Sequence, residues 1–174
     1  MKKFSKFAAL MLACVLALTL LTACGSESVA GGVDAAGVVR AMNAARKEAG
    51  LSQVQMTDDL NKQAEKMYAA SNKNSDDKVT INGQTYKVYF VSGVALSSGY
   101  MTEDGFKTSF AKGIEDWKKI DFNANPLNIS GGCYVGRKDL KYIGVWIGKD
   151  SKKQNAYCVV AAFPEGTYPT RPEN

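Results

Sequence analysis

The sequence predicts one α+β domain in which helices pack against an antiparallel sheet. Three segments carry apolar residues at intervals of three and four, which is the period of an α-helix. Other segments are short apolar runs bounded by turn residues, as is typical of strands. The runs of the last third follow one another through short turns, which favours antiparallel pairing. The chain shows neither the strand–helix–strand alternation of a parallel sheet nor an internal repeat.

The first 23 residues have the layout of an export signal. Lysines precede an apolar run that is shorter than the roughly 20 residues of a stable membrane span. The run ends in residues 21–24, Leu-Thr-Ala-Cys, which resemble the lipobox of bacterial lipoproteins. The resemblance implies cleavage before Cys24, acylation of its thiol with a chain such as palmitate, and anchoring on the extracytoplasmic face of the cell membrane. Residues 24–33 then form the lipidated cysteine and a flexible tether.

Two alternatives for this N-terminal segment stay open. It could be an ordinary signal peptide with a coincidental cysteine, or a membrane helix that is not removed. The agreement of charge, apolar length, lipobox and tether favours the lipoprotein signal.

The positive charge of the chain lies largely in this signal. The whole sequence has 22 basic and 17 acidic side chains, a net charge of +5. Removal of the three signal lysines leaves 19 basic side chains against 17 acidic ones, a net charge of +2. This small excess does not indicate a nucleic acid as partner. The remaining length suffices for one domain with an apolar core, predicted at residues 34–166, with a C-terminal tail at 167–174.

Two helices are predicted at the start of the domain. Asp34 can cap the first, whose apolar residues recur at spacings of four, three and four before Gly50 ends it. This stripe consists of Val38, Met42, Ala45 and Ala49. Thr57 begins the second helix and is followed by two aspartates, which the helix dipole favours at that end. The buried face of the second helix is predicted to contain Leu60, Ala64, Met67 and Tyr68.

A β-hairpin and a third helix follow. The dipeptide Asn82-Gly83 tolerates the two positive φ angles of a tight turn, and apolar residues alternate with others after it. Residues 92–100 are small and contain glycine, which predicts an irregular loop. Thr102 can cap the third helix. Its apolar stripe consists of Phe106, Phe110, Ile114 and Trp117.

The last third is predicted to consist of strands. The apolar runs are residues 134–135, 142–147 and 156–163. Because the turn between the last two runs is short, we expect them to form an antiparallel hairpin.

The cysteines are divided between the signal and the folded domain. Cys14 leaves with the signal and Cys24 takes the lipid, so Cys133 and Cys158 remain. In an oxidising compartment two remaining cysteines indicate one disulfide, and a loop of this size would stabilise the fold by about 3 kcal/mol. The alternatives are two buried free thiols or a reactive cysteine. A reactive cysteine normally needs a base, and the chain contains no histidine.

Several short motifs occur in an order that resembles a known family. The first two predicted helices contain Asn43, Arg46, Gly50, Leu51, Asp58 and Asp59. The second half contains Trp117, then residues 125–129 (Asn-Pro-Leu-Asn-Ile), 143–145 (Ile-Gly-Val) and an aromatic-flanked strand at 157–163. Together these pieces resemble the CAP superfamily, also called SCP-like domains, over residues 34–163. The resemblance implies an α-β-α sandwich with a central antiparallel sheet.

The chain departs from this family at the cleft. Many CAP domains hold two histidines and two acidic residues that can bind a divalent metal. This chain has no histidine, and the position of the later one corresponds to Asn125 or, with a small shift of the alignment, to Asn123. No acidic residue occurs in residues 91–95, where the family places one. Glu115 and Asp116 are adjacent on a helix and therefore point in different directions, so we interpret them as a solvated face. We expect no metal, no cofactor and no catalytic residue.

The expected function is therefore a non-catalytic CAP-like domain at the cell surface. Its partner could be an apolar small molecule, a cell-wall component or a protein, and simple display near the wall is a further possibility. Aromatic residues that could line an apolar groove, or instead fill the core, are Tyr86, Tyr89, Phe90, Tyr100 and Tyr134. The alternative is a hydrolase that uses a lysine or carboxylate as its base. Serine–lysine pairs at 71–73 and 109–112 are interpreted as coincidences of a lysine-rich chain.

Overall fold

The computed structural model describes residues 32–70, 78–95, 102–120 and 130–166. The helices are α1 (Ala35–Glu48), α2 (Asp58–Ala69), α3 (Glu103–Lys118) and a 3-10 helix (Gly131–Gly136). The strands are β1 (Gln55–Met56), β2 (Lys78–Ile81), β3 (Gln84–Ala95), β4 (Tyr142–Lys149) and β5 (Asn155–Pro164).

The three predicted α-helices are confirmed, and each begins at its predicted cap. A side-chain oxygen of Asp34 accepts a hydrogen bond of 2.7 Å from the backbone N–H three residues later. Thr57 and Thr102 cap α2 and α3 in the same way, at 3.4 Å and 3.1 Å. Such caps satisfy N–H groups that have no partner within the helix. The predicted apolar stripes are the buried faces of these helices, with Ala49 and Tyr68 half-buried at the ends of theirs.

The sheet has the strand order β1-β4-β5-β3-β2, so β5 lies at its centre. The predicted hairpin is confirmed, with Asn82 and Gly83 at φ angles of 50° and 79° between β2 and β3. The pairing of β4 with β5 is antiparallel, as expected. The two-residue strand β1 pairs parallel with β4, which the sequence did not predict. All other pairs are antiparallel within the described part of the chain.

Helices cover both faces of the sheet. The core on one face is formed with α1, α3 and the 3-10 helix, and the core on the other face is formed with α2. Strand β5 contributes to both cores, because successive side chains of a strand point to opposite faces of the sheet. Val159 and Ala161 point to the first core, and Val160 and Ala162 point to the second. The fold is therefore the predicted α-β-α sandwich with an antiparallel-rich central sheet.

Two predicted segments differ in the structure. β3 continues to Ala95, so the first part of the predicted loop at 92–100 is strand, and residues 96–100 lie outside the described ranges. Residues 134–135 were predicted as strand but belong to the 3-10 helix. An apolar run of two residues carries no readable period, and the glycines around it allow the tighter turn.

The predicted disulfide is absent, because the sheet separates the two cysteines. Cys158 lies on the face of β5 that packs against α2, together with Val160. Cys133 lies in the 3-10 helix beside Phe110 of α3, on the opposite face. Both are buried and free, so the structure holds the alternative of two buried thiols.

The termini of the chain lie outside the described ranges. The signal at residues 1–23, the lipidation of Cys24 and the tail at 167–174 remain predictions. Within the described ranges, no helix is long and apolar enough to cross a membrane.

Candidate functional site

A cleft of about 270 Å³ lies where α3, β3 and the 3-10 helix meet. Val91 of β3 and Phe110 of α3 form apolar parts of its lining, and both are buried. The remaining side chains of the lining are polar or small. The cleft therefore combines an apolar floor with a polar rim.

Two glycines bring the 3-10 helix against its neighbours. A Cβ atom on Gly113 of α3 would lie 2.3 Å from the carbonyl oxygen of Gly132, and one on Gly131 would lie 2.2 Å from that of Phe90 in β3. No side chain fits at such distances, so the backbones touch directly. This contact joins three elements that are distant in sequence and fixes the shape of the cleft.

The charged groups of the cleft are Lys112 and Asp116, one turn apart on α3. Lys112 Nζ lies 2.5 Å from Asp116 Oδ2. The hydrogen bond and the negative charge of Asp116 raise the pKa of Lys112, so the amine stays protonated at neutral pH. Glu115 pairs with Lys118 at 2.7 Å instead and does not line the cleft. The two adjacent carboxylates diverge as predicted, but Asp116 is half-buried in the cleft rather than part of a fully solvated face.

Hydroxyl and thiol groups complete the rim. Ser92, Ser109 and Ser130 come from β3, from α3 and from the start of the 3-10 helix. The hydroxyl oxygens of Ser92 and Tyr157 lie 3.0 Å apart and share a hydrogen bond. Burial raises the pKa of the Cys133 thiol, and Asp116 raises it further, so this thiol is protonated at neutral pH. These hydroxyl groups can donate and accept hydrogen bonds, and the protonated thiol of Cys133 is a weak nucleophile.

Arg46 holds the segment that carries Cys133, although it does not touch the cleft. Its side chain is fully buried. Nη1 donates to the carbonyl oxygens of Val135 at 2.6 Å and Arg137 at 3.0 Å, and Nε donates to that of Ser52 at 2.7 Å. Burial lowers the pKa of Arg46 to about 10, which leaves the guanidinium charged at neutral pH.

Asn43 also has a structural role, because its side chain binds backbone groups. Its amide accepts from the backbone N–H of Val54 at 2.8 Å and donates to the carbonyl of the same residue at 3.1 Å. The sequence indicated Asn43 and Arg46 only as motif residues of the family resemblance. Their spacing on one helix could not show that each binds backbone groups elsewhere in the fold.

Of the five aromatic residues that could line a groove or instead fill the core, the four that the structure describes do not converge on one groove. Tyr86 is buried in the core that faces α2, and the half-buried ring of Phe90 packs on the same side. Tyr89 and Tyr134 lie on the opposite side, with ring centroids 5.2 Å apart. Tyr100 lies outside the described ranges. For the residues that the structure describes, packing against the two cores is therefore the alternative that the structure supports.

The other residues that the sequence analysis discussed lie partly outside and partly inside the described ranges. Asn125, Ser71 and Lys73 lie outside the described ranges. Ser109 and Lys112, interpreted above as a coincidental pair, both line the cleft. In the parts of the chain that the structure describes, no three metal-ligating side chains of the histidine, cysteine or acidic type lie together.

Comparison with known proteins gives structural neighbours only. No family model matches the sequence, and no curated protein matches it. The hookworm platelet inhibitor matches with a TM-score of 0.50 and 12% identity, over 84% of this chain and 77% of that one. Venom allergen-like protein 4 of Schistosoma mansoni matches with a TM-score of 0.46 and 16% identity, over 80% and 92%. The hookworm protein is a CAP/SCP-like protein, and this likeness shows that the chain described here has the CAP-like fold.

Proposed function

We propose that this chain is a lipid-anchored, extracytoplasmic binding domain that holds a small polar ligand in the cleft between α3, β3 and the 3-10 helix. The observation that carries the proposal is the composition of the rim, where an ion pair and three hydroxyls from three elements meet above an apolar floor. A few convergent polar groups in a largely preformed concavity are typical of small-molecule sites. The anchored location rests on the export signal and lipobox.

Binding is favoured over hydrolysis by the protonation states in the cleft. A lysine that acts as a base must lose its proton near neutral pH, and a buried lysine can do so. Asp116 has the opposite effect, because it raises the pKa of Lys112. The thiol of Cys133 is likewise held in its protonated form. A lysine-based hydrolase therefore has less support than a binding site.

A polar ligand is favoured over an apolar one. An acyl chain or a sterol in this cleft would cover Lys112, Asp116 and the serines without offering them hydrogen bonds. Covering polar groups without a partner costs free energy. A ligand with several hydroxyl or amide groups can replace the water that these side chains bind.

The test uses the mature chain and soluble extracts of the cell envelope. Backbone amide shifts in NMR spectra should change at residues 109–116 and 130–133, and the change should weaken in Lys112→Met. Glu115→Gln is the matched control, because Glu115 lies on the same helix in an ion pair outside the cleft. Shifts confined to residues outside the cleft, or equal responses of the two variants, would contradict the proposal.

A further inference from the structure

We infer that the cleft accepts one uncharged sugar ring, as a free sugar or as one unit of an envelope glycan; this inference rests on the proposed function above. A sugar ring has apolar faces, which carry C–H groups, and a polar edge, which carries hydroxyl groups. The cleft has the same division. Its floor contains Val91 and Phe110, and its rim contains hydroxyl and charged groups.

The rim combines donors and acceptors of hydrogen bonds, as hydroxyl groups do. Asp116 offers only acceptors, Lys112 offers only donors, and the hydroxyls of Ser92, Ser109 and Ser130 offer both. A sugar hydroxyl is itself a donor and an acceptor, so it can bridge any two of these groups. A ligand that carries only acceptors or only donors satisfies one part of the rim and leaves the other unpaired.

The charge of the cleft favours a neutral ligand. Lys112 and Asp116 neutralise each other, at an N–O distance of 2.5 Å. An anionic ligand would form an ion pair with Lys112. The Asp116 carboxylate would then lose its partner and lie beside a second negative charge. A hydroxyl-bearing ring can bind both side chains while their pairing persists. Their side chains are 74% and 40% exposed, so the pair contributes little to stability and can adjust to a ligand.

The volume limits the ligand to one ring. The cleft of about 270 Å³ lies just below the usual range of small-molecule pockets, roughly 300–1,000 Å³. We therefore expect it to enclose one ring. Because Ser109, Lys112 and Ser130 are exposed at the rim, a longer glycan can continue from the bound ring into solvent.

The experiment compares two neutral sugars with a charged sugar and with a dipeptide. The mature chain is titrated with glucose, N-acetylglucosamine, glucuronate and alanyl-alanine, and amide shifts at residues 109–116 and 130–133 are followed by NMR. Glucose and glucuronate share the ring, and only the second carries a carboxylate. We expect saturable shifts with a neutral sugar at millimolar concentration, and an affinity at least fivefold lower for glucuronate.

Variants connect the binding to the rim. Asp116→Asn keeps the shape of the side chain and should weaken binding of the neutral sugar at least tenfold, and Lys112→Met should weaken it as well. Glu115→Gln should bind like the parent chain. If glucuronate or the dipeptide binds more tightly than the neutral sugars, the inference is wrong while the proposed function stands. If neither these compounds nor envelope extracts shift the cleft amides, the inference and the proposed function both fail.

Discussion

At the scale of single residues, side chains of the same type have different roles in the structure. Arg46 and Arg40 lie on one helix, yet Arg46 is fully buried on backbone carbonyls and Arg40 is exposed in an ion pair with Glu103. The sequence does not distinguish them, because Arg46 binds the carbonyl of nearby Ser52 and also backbone carbonyls about 90 residues further along the chain. Only the folded chain brings these distant groups together.

We expect Arg46→Met to destabilise the fold by about 3 kcal/mol or more, because several buried carbonyl groups lose a charged donor. Urea unfolding followed by circular dichroism measures this change. Arg40→Met is the control and should cost less than about 1 kcal/mol, since exposed ion pairs contribute little. Equal losses in the two variants would contradict the part assigned to Arg46.

The two thiols give a second prediction at this scale. Burial raises the pKa of Cys158 to about 12 and also raises that of Cys133, so thiolate is scarce at pH 8 in the folded chain. Alkylation by iodoacetamide at pH 8 should be slow at Cys133, which lines the cleft, and should reach Cys158 only on unfolding. Raising the pH should speed the reaction of Cys133 as its thiolate forms. A mature polypeptide whose mass is two hydrogens below that of the reduced form contains a disulfide. That result would contradict the prediction of two free thiols.

At the scale of elements, strong local patterns were sufficient for most of the fold. The caps and apolar stripes of the three α-helices and the Asn82-Gly83 turn depend on neighbouring residues, and all were predicted correctly. β1 and the 3-10 helix were missed because they are fixed by partners: β1 by β4, and the 3-10 helix by α3 and β3. Short segments of this kind carry too few residues for a period to be read.

The contact between α3 and the 3-10 helix gives a prediction at this scale. Gly113→Ala would place a Cβ 2.3 Å from the carbonyl oxygen of Gly132, so the helices must separate. We expect a loss of about 1–3 kcal/mol, as for other overpacked sites, and altered amide shifts along the cleft. Gly105→Ala on the same helix meets no atom closer than 3.4 Å and should be neutral or stabilising by up to about 1 kcal/mol. The comparison is made by thermal unfolding, and a neutral Gly113→Ala would contradict it.

At the scale of the whole molecule, the fold class was predictable and the site was only partly so. The order of weak motifs implied the CAP-like sandwich, which the structure confirms. The cleft could not be predicted, because Ser92, Lys112 and Cys133 belong to segments that only the fold brings together. The predicted disulfide failed for the same reason, since a cysteine count does not say on which face of a sheet each cysteine lies.

The anchor also belongs to this scale. We expect Cys24→Ser to abolish incorporation of a labelled palmitate analogue and to prevent cleavage of the signal, because the thiol is the acylated group. Cys14→Ser is the control and should be labelled like the parent chain, since Cys14 lies within the signal. Gel mobility and fluorescence of cell lysates measure both properties. Labelling that persists in Cys24→Ser would exclude this lipidation site.

The place of β5 in the sheet has a consequence for how the protein is made. β5 joins β3 to β4, and it is the last of the strands that the structure describes. During synthesis or passage through a membrane channel, β5 therefore emerges after every other described element. It is the strand that joins the two parts of the sheet. Until then the described sheet is in two unconnected parts, so we expect the polypeptide to stay unfolded. If the chain is exported as proposed, we expect it to cross the membrane unfolded and to fold after β5 has emerged.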